Sequence, residues 1–120
     1  MNVVSSYTRG RDAELRAGEF LERQGLVVLA RNYRCRQGEI DLVLRDGPTV
    51  VVAEIRYRAD NAFGTPAETV DGRKQMKLIA CARRFLQAHP ALALAPLRFD
   101  VVALAGGDSR IEWIRDAFRA

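Results

Sequence analysis

Three charged side chains stand inside two apolar runs of this sequence, at positions where they could act on an anionic substrate. Within residues 38–58, Asp41 lies in the first run, and Glu54 and Arg56 lie in the second. The Asp-Gly-Pro-Thr segment between the runs, residues 46–49, has the composition of a turn. The stretch is therefore predicted to form a β-hairpin whose loop is 46–49.

A four-residue loop fixes the register of this hairpin. The cross-strand pairs that it predicts are Arg45 with Val50, Val43 with Val52, Asp41 with Glu54, and Glu39 with Arg56. Side chains alternate between the two faces of a strand, so the other face is predicted to carry only apolar pairs: Ile40 with Ile55, Leu42 with Ala53, and Leu44 with Val51. A shift by one pair would set Glu39 opposite Glu54 and leave the faces unchanged.

Directly opposed carboxylates would repel one another, because their Cβ atoms are about 4.5 to 5.5 Å apart. A divalent cation between them removes the repulsion, and Mg²⁺ typically takes one or two protein carboxylates and keeps several waters. Asp41 and Glu54 are therefore candidate ligands of Mg²⁺ or Mn²⁺ in a site for chemistry on phosphate. The alternative is an ion-pair network with Arg56 and Arg58 that only satisfies a polar sheet face.

The element before the hairpin follows from apolar periodicity and end signals. Apolar residues at helical spacing predict a helix over 9–24 with Gly25 as its C-terminal cap, and residues 1–8 are predicted to be a loose arm. Glu14 in this helix is either a solvated side chain or a third acid that points at the hairpin. A short buried strand at 26–30 is predicted to follow.

A second helix and two further strands complete the chain. Asp71 is predicted to cap a helix that runs to about Ala88. Strands are predicted over 97–104 and 110–114, followed by one helical turn through Phe118. The order of helix, three strands, helix, strand and strand predicts an α/β fold in which a mixed central sheet is flanked by helices.

Composition limits the class of protein and its partners. The chain has 120 residues, of which 48% are hydrophobic and 28% charged, and these values predict one globular domain, 1–120. Its net charge of +4 favours an anionic partner such as nucleic acid, although a general codon bias toward arginine would give the same excess.

The cysteines and the chain's hydropathy indicate a location. Cys35 and Cys81 are too far apart for a CxxC site, and His89 is the single histidine, so a structural zinc site is not expected. Both cysteines are predicted to be unpaired thiols in a reducing compartment. The sequence shows no secretory signal and no apolar run of about 20 residues, which predicts a cytoplasmic protein without a membrane partner.

Basic residues define a candidate surface for a nucleic acid. Arg31, Arg34 and Arg36 lie in a predicted basic connection beside the hairpin, where Tyr33 could stack on a base. The alternative is a solvated strand edge that its charges keep soluble. The other candidates for phosphate contacts lie at the end of the hairpin and on the second helix: Arg58, Arg73, Lys74 and Lys77.

The order of the acids and the motif Glu54-Ile55-Arg56 resemble the PD-(D/E)xK nuclease superfamily, which implies a restriction-endonuclease-like αβββαβ core. More closely, the chain resembles the UPF0102 family, also called the YraN family, of bacterial predicted endonucleases. The segments that carry this resemblance are GRDAELRA (10–17), ARNYRCRQGEIDLV (30–43), VVVAEIRYR (50–58), FGTPAETV (63–70), RFDVVA (98–103) and IEWIRDAF (111–118).

The resemblance implies roles for individual residues. It assigns to the metal Asp41, Glu54 and the carbonyl of Ile55, with Glu14 as an additional acid of the kind found in archaeal Holliday-junction resolvases. Arg56 stands where the superfamily has a lysine; an arginine stays protonated and can only stabilise charge. Glu39 or Glu14 would then orient the attacking water or a second metal. Resolvase-like relatives act as symmetric dimers, which implies a homodimer.

Three interpretations of the function follow from the sequence. The first is a metal-dependent endonuclease that hydrolyses phosphodiester bonds of DNA, including branched or structured DNA. The second is a nucleic-acid-binding module that keeps the nuclease fold without hydrolysis, which Arg56 in place of lysine favours. The third is a protein-interaction domain that uses a sheet edge or the C-terminal hairpin.

Overall fold

The computed structural model describes residues 6–58, 70–105 and 110–120, and in these ranges the side chains of 6–10, 58 and 105 are not described. The elements in chain order are helix α1 (Ser6–Arg23), strands β1 (Val27–Cys35), β2 (Gly38–Asp46) and β3 (Thr49–Arg58), helix α2 (Gly72–Ala88), a 3₁₀ turn (Pro90–Leu92), and strands β4 (Leu97–Ala105) and β5 (Ile111–Phe118). Neither helix of this part of the chain has the length and apolarity that crossing a membrane requires.

The five strands form one sheet in the order β1-β2-β3-β4-β5. Neighbouring strands are antiparallel except β3 and β4, which are parallel. Helix α2 lies between these two strands in the chain, as a crossover between parallel strands requires. The predicted α/β fold with a mixed sheet and flanking helices is confirmed, and it is compatible with a restriction-endonuclease-like core.

The two helices cover opposite faces of the sheet. One core contains the buried residues of α1, which are Ala13, Ala17 and Leu21. The other contains the buried residues of α2, which are Leu78, Cys81, Ala82 and Phe85. Because a helix covers each face of the sheet, the sequences of the central strands are nearly continuous apolar runs. Residues 42–44 and 50–53 are all buried.

Both helices end as the sequence predicts, but α1 begins earlier. Gly25 has φ 97°; its N–H donates to the Glu22 carbonyl at 3.0 Å, and the Leu26 N–H donates to the Leu21 carbonyl at 3.1 Å, which is the Schellman pattern. Helix α1 starts at Ser6, so residues 6–8 do not belong to a loose arm, and residues 1–5 lie outside the described residues. Asp71 caps α2, where its Oδ1 accepts the Lys74 N–H at 2.9 Å.

The hairpin register is confirmed near its turn, where Arg45 pairs with Val50. Asp46 also pairs with Thr49, so the loop has two residues instead of the predicted four. The register is unaffected because the two additional residues pair with each other.

Two strands are longer than predicted. Strand β1 continues through Cys35, which pairs with Gly38, so most of the predicted basic connection is strand. Strand β5 continues through Phe118, and the predicted helical turn is wrong. Phe118 stacks on Phe99 with ring centroids 4.9 Å apart, and burying that aromatic pair is worth more than one isolated helical turn.

Asp100 joins β4 to β5, and its partner Arg98 extends the network to the end of β2. Its side chain is fully buried and accepts four hydrogen bonds of 2.9 to 3.0 Å, from Arg98 Nε, Arg98 Nη2, Trp113 Nε1 and the Asp116 N–H. Arg98 also donates to Asp46 Oδ2 at 3.0 Å. A buried carboxylate with this many donors is a structural group.

Cys35 and Cys81 form a disulfide with Cα atoms 5.6 Å apart, so the expectation of two unpaired thiols is wrong. The sequence hides this pair because 46 residues separate the cysteines. They meet because Cys35 ends β1 on the side of the sheet that α2 covers. The bond therefore joins α2 to the β1–β2 turn.

Removing this disulfide should lower the stability of the fold. Closing a loop of this length restricts the unfolded chain, so we expect reduction, or the double substitution Cys35→Ser and Cys81→Ser, to lower the free energy of unfolding by about 3 to 4 kcal/mol. Urea denaturation followed by circular dichroism, with and without dithiothreitol, measures the change. The double variant is the control, because dithiothreitol should leave its midpoint unchanged. An unchanged midpoint in the native chain would contradict the prediction.

Candidate functional site

The regular alternation of side chains breaks in β2 at Asp41. Leu42 belongs to the core under α1, whereas Ile40, two residues earlier, belongs to the core under α2. In a regular strand these two side chains share a face. The prediction that Ile40 lies on the same face as Leu42 and Ile55 is therefore wrong.

Strand β1 makes the same change at Asn32. The Arg31 side chain lies against α1, with Nη2 3.8 Å from Glu22 Oε1, whereas the Tyr33 side chain packs in the core under α2. Asn32 between them has φ 50°, a left-handed conformation that Asn adopts more readily than most residues. The pairs that flank this point, Arg31 with Leu42 and Tyr33 with Ile40, place Asn32 opposite Asp41.

The ladder between β2 and β3 stops at this break. Its last pair is Leu42 with Ala53, and beyond it the Asp41 carboxylate takes the place of a backbone partner, with Oδ2 accepting the Ile55 N–H at 2.8 Å. The three predicted ladder pairs beyond this point are wrong: Asp41 with Glu54, Ile40 with Ile55, and Glu39 with Arg56. In an antiparallel strand the N–H and C=O of one residue face the same neighbour, so the Ile55 carbonyl points to the side where Asp41 lies.

Glu54 is a buried acid on the α2 side of the sheet. It is 4% exposed, and its Oε1 lies 3.7 Å from Lys74 Nζ and 3.9 Å from Arg56 Nε. No donor within the described ranges forms a hydrogen bond with its buried Oε2. A buried carboxylate oxygen without a donor is energetically costly. This makes Oε2 a candidate ligand atom for a bound cation.

The two acids hold their protons more strongly than exposed carboxyls. Burial, and then the nearby charge of Glu54, raises the pKa of Asp41 to about 7, against the opposing effect of the Ile55 N–H. Burial also raises the pKa of Glu54, while Lys74 and Arg56 lower it. A cation bound between the two carboxylates would favour their ionised forms and so oppose the upward shift of both pKa values.

Glu14 and Glu39 are brought to the same region by one amide. Asn32 Nδ2 donates to Glu14 Oε2 at 2.9 Å and to Glu39 Oε1 at 3.0 Å. The charge of Glu14 also contributes to the raised pKa of both Asp41 and Glu54. Of the two interpretations of Glu14, its position fits the acid that points at the hairpin.

The sequence analysis did not identify Asn32 as a residue of this region. The signal in the sequence was an asparagine in the middle of a strand-like run, because Asn is depleted in strands and enriched at positive φ.

The donor set for a metal is small. No three acidic, histidine or cysteine side chains in the part of the chain that the structure describes lie close enough together to hold a metal ion. The candidate ligands are therefore two carboxylates, Asp41 and Glu54, with the Ile55 carbonyl beside them. Mg²⁺ is bound in this way in many phosphate-processing sites, through one or two carboxylates and several waters.

The predicted phosphate-binding residues divide between the two sides of the sheet. Arg31 lies over Gly18 of α1, away from α2. Arg34 Nε lies 3.7 Å from Glu39 Oε2, and Arg36 is exposed in the β1–β2 turn. On α2, Arg73 and Lys77 are exposed, whereas the Lys74 ammonium is at Glu54. The side chain of Arg58 lies outside the described residues.

Tyr33 does not present its ring to a base. The ring is partly buried and stands edge-on against Phe85, with centroids 5.2 Å apart. The aromatic contact with α2 therefore replaces the stacking that the sequence suggested.

Comparison with known proteins assigns the chain to a family. The model of an uncharacterised protein family, UPF0102, matches residues 13–104, a range that contains every residue of the site described above. The chain is a member of the UPF0102 family.

Curated relatives agree over nearly their whole lengths. A UPF0102 protein of Xanthomonas euvesicatoria is 51% identical over 112 residues, which is 93% of this chain and 92% of the relative. One of Stutzerimonas stutzeri is 51% identical over 98% of this chain and 100% of its own, and one of Pseudomonas fluorescens is 47% identical over 91% of each. These names state no activity, so the function of this UPF0102 chain depends on the chemistry of its site.

The raised pKa of Asp41 predicts how the stability of the UPF0102 chain depends on pH. An aspartate in the unfolded chain has a pKa near 3.9, so between about pH 4 and pH 7 the folded protein binds a proton that the unfolded chain releases. The free energy of unfolding should therefore fall as pH rises through this window, by at most about 4 kcal/mol at ~1.4 kcal/mol per pKa unit.

Urea denaturation at pH 5 and pH 8, without divalent cations, measures this dependence. Asp41→Asn removes the titrating group, so its stability should fall less between the two pH values than that of the native chain. Equal slopes for the two proteins would contradict the prediction.

The left-handed backbone and the bridging amide at Asn32 can be separated by two substitutions. Asn32→Gly keeps the positive φ without strain and removes only the amide, which we expect to cost about 1 kcal/mol of stability. Asn32→Ala also places a Cβ in the left-handed region, so it should be less stable than the Gly variant by about 1 kcal/mol or more. Urea midpoints give the order; equal stability of the Gly and Ala variants would show that φ is not restrained.

Proposed function

We propose that this chain is a metal-dependent endonuclease that hydrolyses phosphodiester bonds of DNA, with branched or structured DNA as the favoured substrate. The observation that carries the proposal is the pair of acids at the point where the β2–β3 ladder opens, the buried Glu54 and the partly buried Asp41, with Arg56 beside them. The resemblance of this motif to the PD-(D/E)xK nucleases, including archaeal Holliday-junction resolvases, supports the same chemistry.

The residues present fit a Mg²⁺ or Mn²⁺ ion. Asp41, Glu54 and the carbonyl of Ile55 would hold it, since the Glu54 Oε2 oxygen is buried and accepts no hydrogen bond from the described residues. When bound, the ion would polarise the phosphodiester and lower the pKa of a water molecule. Its charge would also stabilise the ionised forms of both acids.

Arg56 would stabilise the charge on the scissile phosphate. Its guanidinium remains protonated and can bind two phosphate oxygens at once, and its position on β3 places it beside Glu54. It cannot act as the base. Glu14 and Glu39, fixed through Asn32, would orient the attacking water. Hydrolysis then adds water across one P–O bond and leaves a phosphomonoester end and a hydroxyl end.

Exposed cations near the site would hold the DNA backbone. Arg34 and Arg36 lie at the β1–β2 turn, and Arg73 and Lys77 lie on α2, which the disulfide joins to the end of β1. Contacts of this kind bind phosphate and carry no sequence information. A DNA substrate in bacteria implies a cytoplasmic protein. A homodimer would let two sites cut the two strands of a junction.

Cleavage assays with matched substitutions test the proposal. Labelled single-stranded, duplex, flap and four-way-junction DNA are incubated with Mg²⁺, Mn²⁺ or EDTA and with the native chain, Asp41→Asn or Glu54→Gln. We expect metal-dependent cleavage, highest on the junction, and a loss of about 10²-fold or more in either variant. Glu19→Gln is the control, because it removes the same charge from an exposed position of α1 and should cleave as the native chain does.

Three results would contradict the proposal. Cleavage that survives Asp41→Asn would show that another site or protein is responsible. Salt-dependent binding of DNA without cleavage, unchanged in both variants, would favour the binding module. Absence of both binding and cleavage would favour the protein-interaction domain.

A further inference from the structure

A lysine from α2 shares the buried carboxylate with the arginine of the motif. Lys74 Nζ lies 3.7 Å from Glu54 Oε1, and the Lys74 side chain is 37% exposed against 6% for Glu54. The ammonium therefore stands between the buried acid and the solvent. A substrate that approaches Glu54 from the solvent would therefore meet the Lys74 ammonium first.

The start of α2 fixes the position of this lysine. The Lys74 N–H donates to Asp71 Oδ1 at 2.9 Å, and the Gln75 side chain donates to the Val70 carbonyl at 2.9 Å. The first turn is thus anchored to the segment before it. The helix then packs through Leu78 against the core that β2 and β3 share, so the backbone of Lys74 is held relative to Glu54.

Both cations lie near the same oxygen of Glu54. Lys74 Nζ and Arg56 Nε approach Oε1, whereas Oε2 accepts no hydrogen bond within the described part of the chain. If Oε2 and Asp41 hold a dication, the charge of Glu54 is largely satisfied by it. The Lys74 ammonium can then take a new anionic partner, and the phosphate brought to the site supplies one.

We propose that Lys74 is a catalytic residue whose ammonium contacts a non-bridging oxygen of the scissile phosphate, opposite Arg56. The inference rests on the proposed nuclease function and extends it to a residue on the helix. A lysine is a compact charge with three donors on a flexible stem, so it can move from Glu54 to the phosphate without a change in α2. Arg56 alone would not supply this mobile charge.

Arg83 offers a matched control for this role. It is exposed on α2 and belongs neither to the site nor to the cations assigned to the DNA backbone, so Arg83→Gln should leave the cleavage rate unchanged. It removes one positive charge, as Lys74→Gln does. Lys77, one turn after Lys74 and also exposed, is the comparison for DNA binding, because its loss should weaken backbone binding and its salt dependence.

Single-turnover cleavage at saturating protein separates chemistry from binding. We expect Lys74→Gln to lower the cleavage rate by about 10²-fold or more, with the Kd for the same DNA in EDTA raised no more than in Lys77→Gln. Lys74→Arg should retain part of the rate because it keeps the charge. Equal rates for Lys74→Gln and Arg83→Gln would overturn the inference while native cleavage, abolished by Asp41→Asn, left the proposed function intact.

Titration with Mn²⁺ without DNA gives a second readout. Removing the ammonium beside Glu54 should tighten Mn²⁺ binding several-fold in Lys74→Gln, because like charges repel at this distance, and Arg83→Gln should leave the Mn²⁺ affinity unchanged. An unchanged Mn²⁺ affinity in Lys74→Gln would overturn the placement of the ammonium at the metal site. A native chain that cuts no substrate would overturn the proposed function and the role of Lys74 with it.

Discussion

The hydrogen bond from the Ile55 N–H to the Asp41 carboxylate is the interaction on which the site depends. Strands β2 and β3 are paired up to Leu42 and Ala53 and then separate, which would leave a backbone donor of a central strand without a partner. An unpaired buried N–H is costly, and the Asp41 side chain satisfies it. The same contact holds the Asp41 carboxylate in a partly buried position, where its charged form is disfavoured. The opening in the sheet and the raised pKa of Asp41 therefore belong to one arrangement.

The opening has contributions from every layer of the fold. Asn32 turns β1 at the position opposite Asp41 and gives its amide to an acid of α1, Glu14. On the other face, α2 directs Lys74 at Glu54. The β4–β5 ladder is also irregular, since Asp116 has φ 53° and the register shifts between Phe99 and Val101. There, however, the buried Asp100 carboxylate accepts hydrogen bonds from Arg98, Trp113 and the Asp116 N–H. A rigid frame of this kind lets the strained end keep buried charge without loosening the whole domain.

The sequence was sufficient where one local signal decides the structure, and insufficient where two distant segments decide it. Gly25 marks the end of α1 through its backbone conformation, and Asp71 marks the start of α2 through its side chain. The change of face at Asp41 depends instead on Asn32 in another strand, and alternation from residue to residue, as for Ile40, cannot reveal it. The disulfide of Cys35 and Cys81 likewise exists only because α2 lies on a particular face of the sheet.

The balance of charges at the site favours the binding of a proton or a cation. Four carboxylates surround the opening in the described chain, those of Glu14, Glu39, Asp41 and Glu54, and three cations contact or approach them: Arg34, Arg56 and Lys74. With every group ionised the region carries one surplus negative charge. Burial and the charge of Glu54 raise the pKa of Asp41 to about 7, so below that pH a proton on Asp41 cancels the surplus. A divalent cation at the same place would do so with charge to spare. The proton and the metal would thus compete for one position, and the surplus positive charge left by the metal is what a phosphate of the substrate would neutralise.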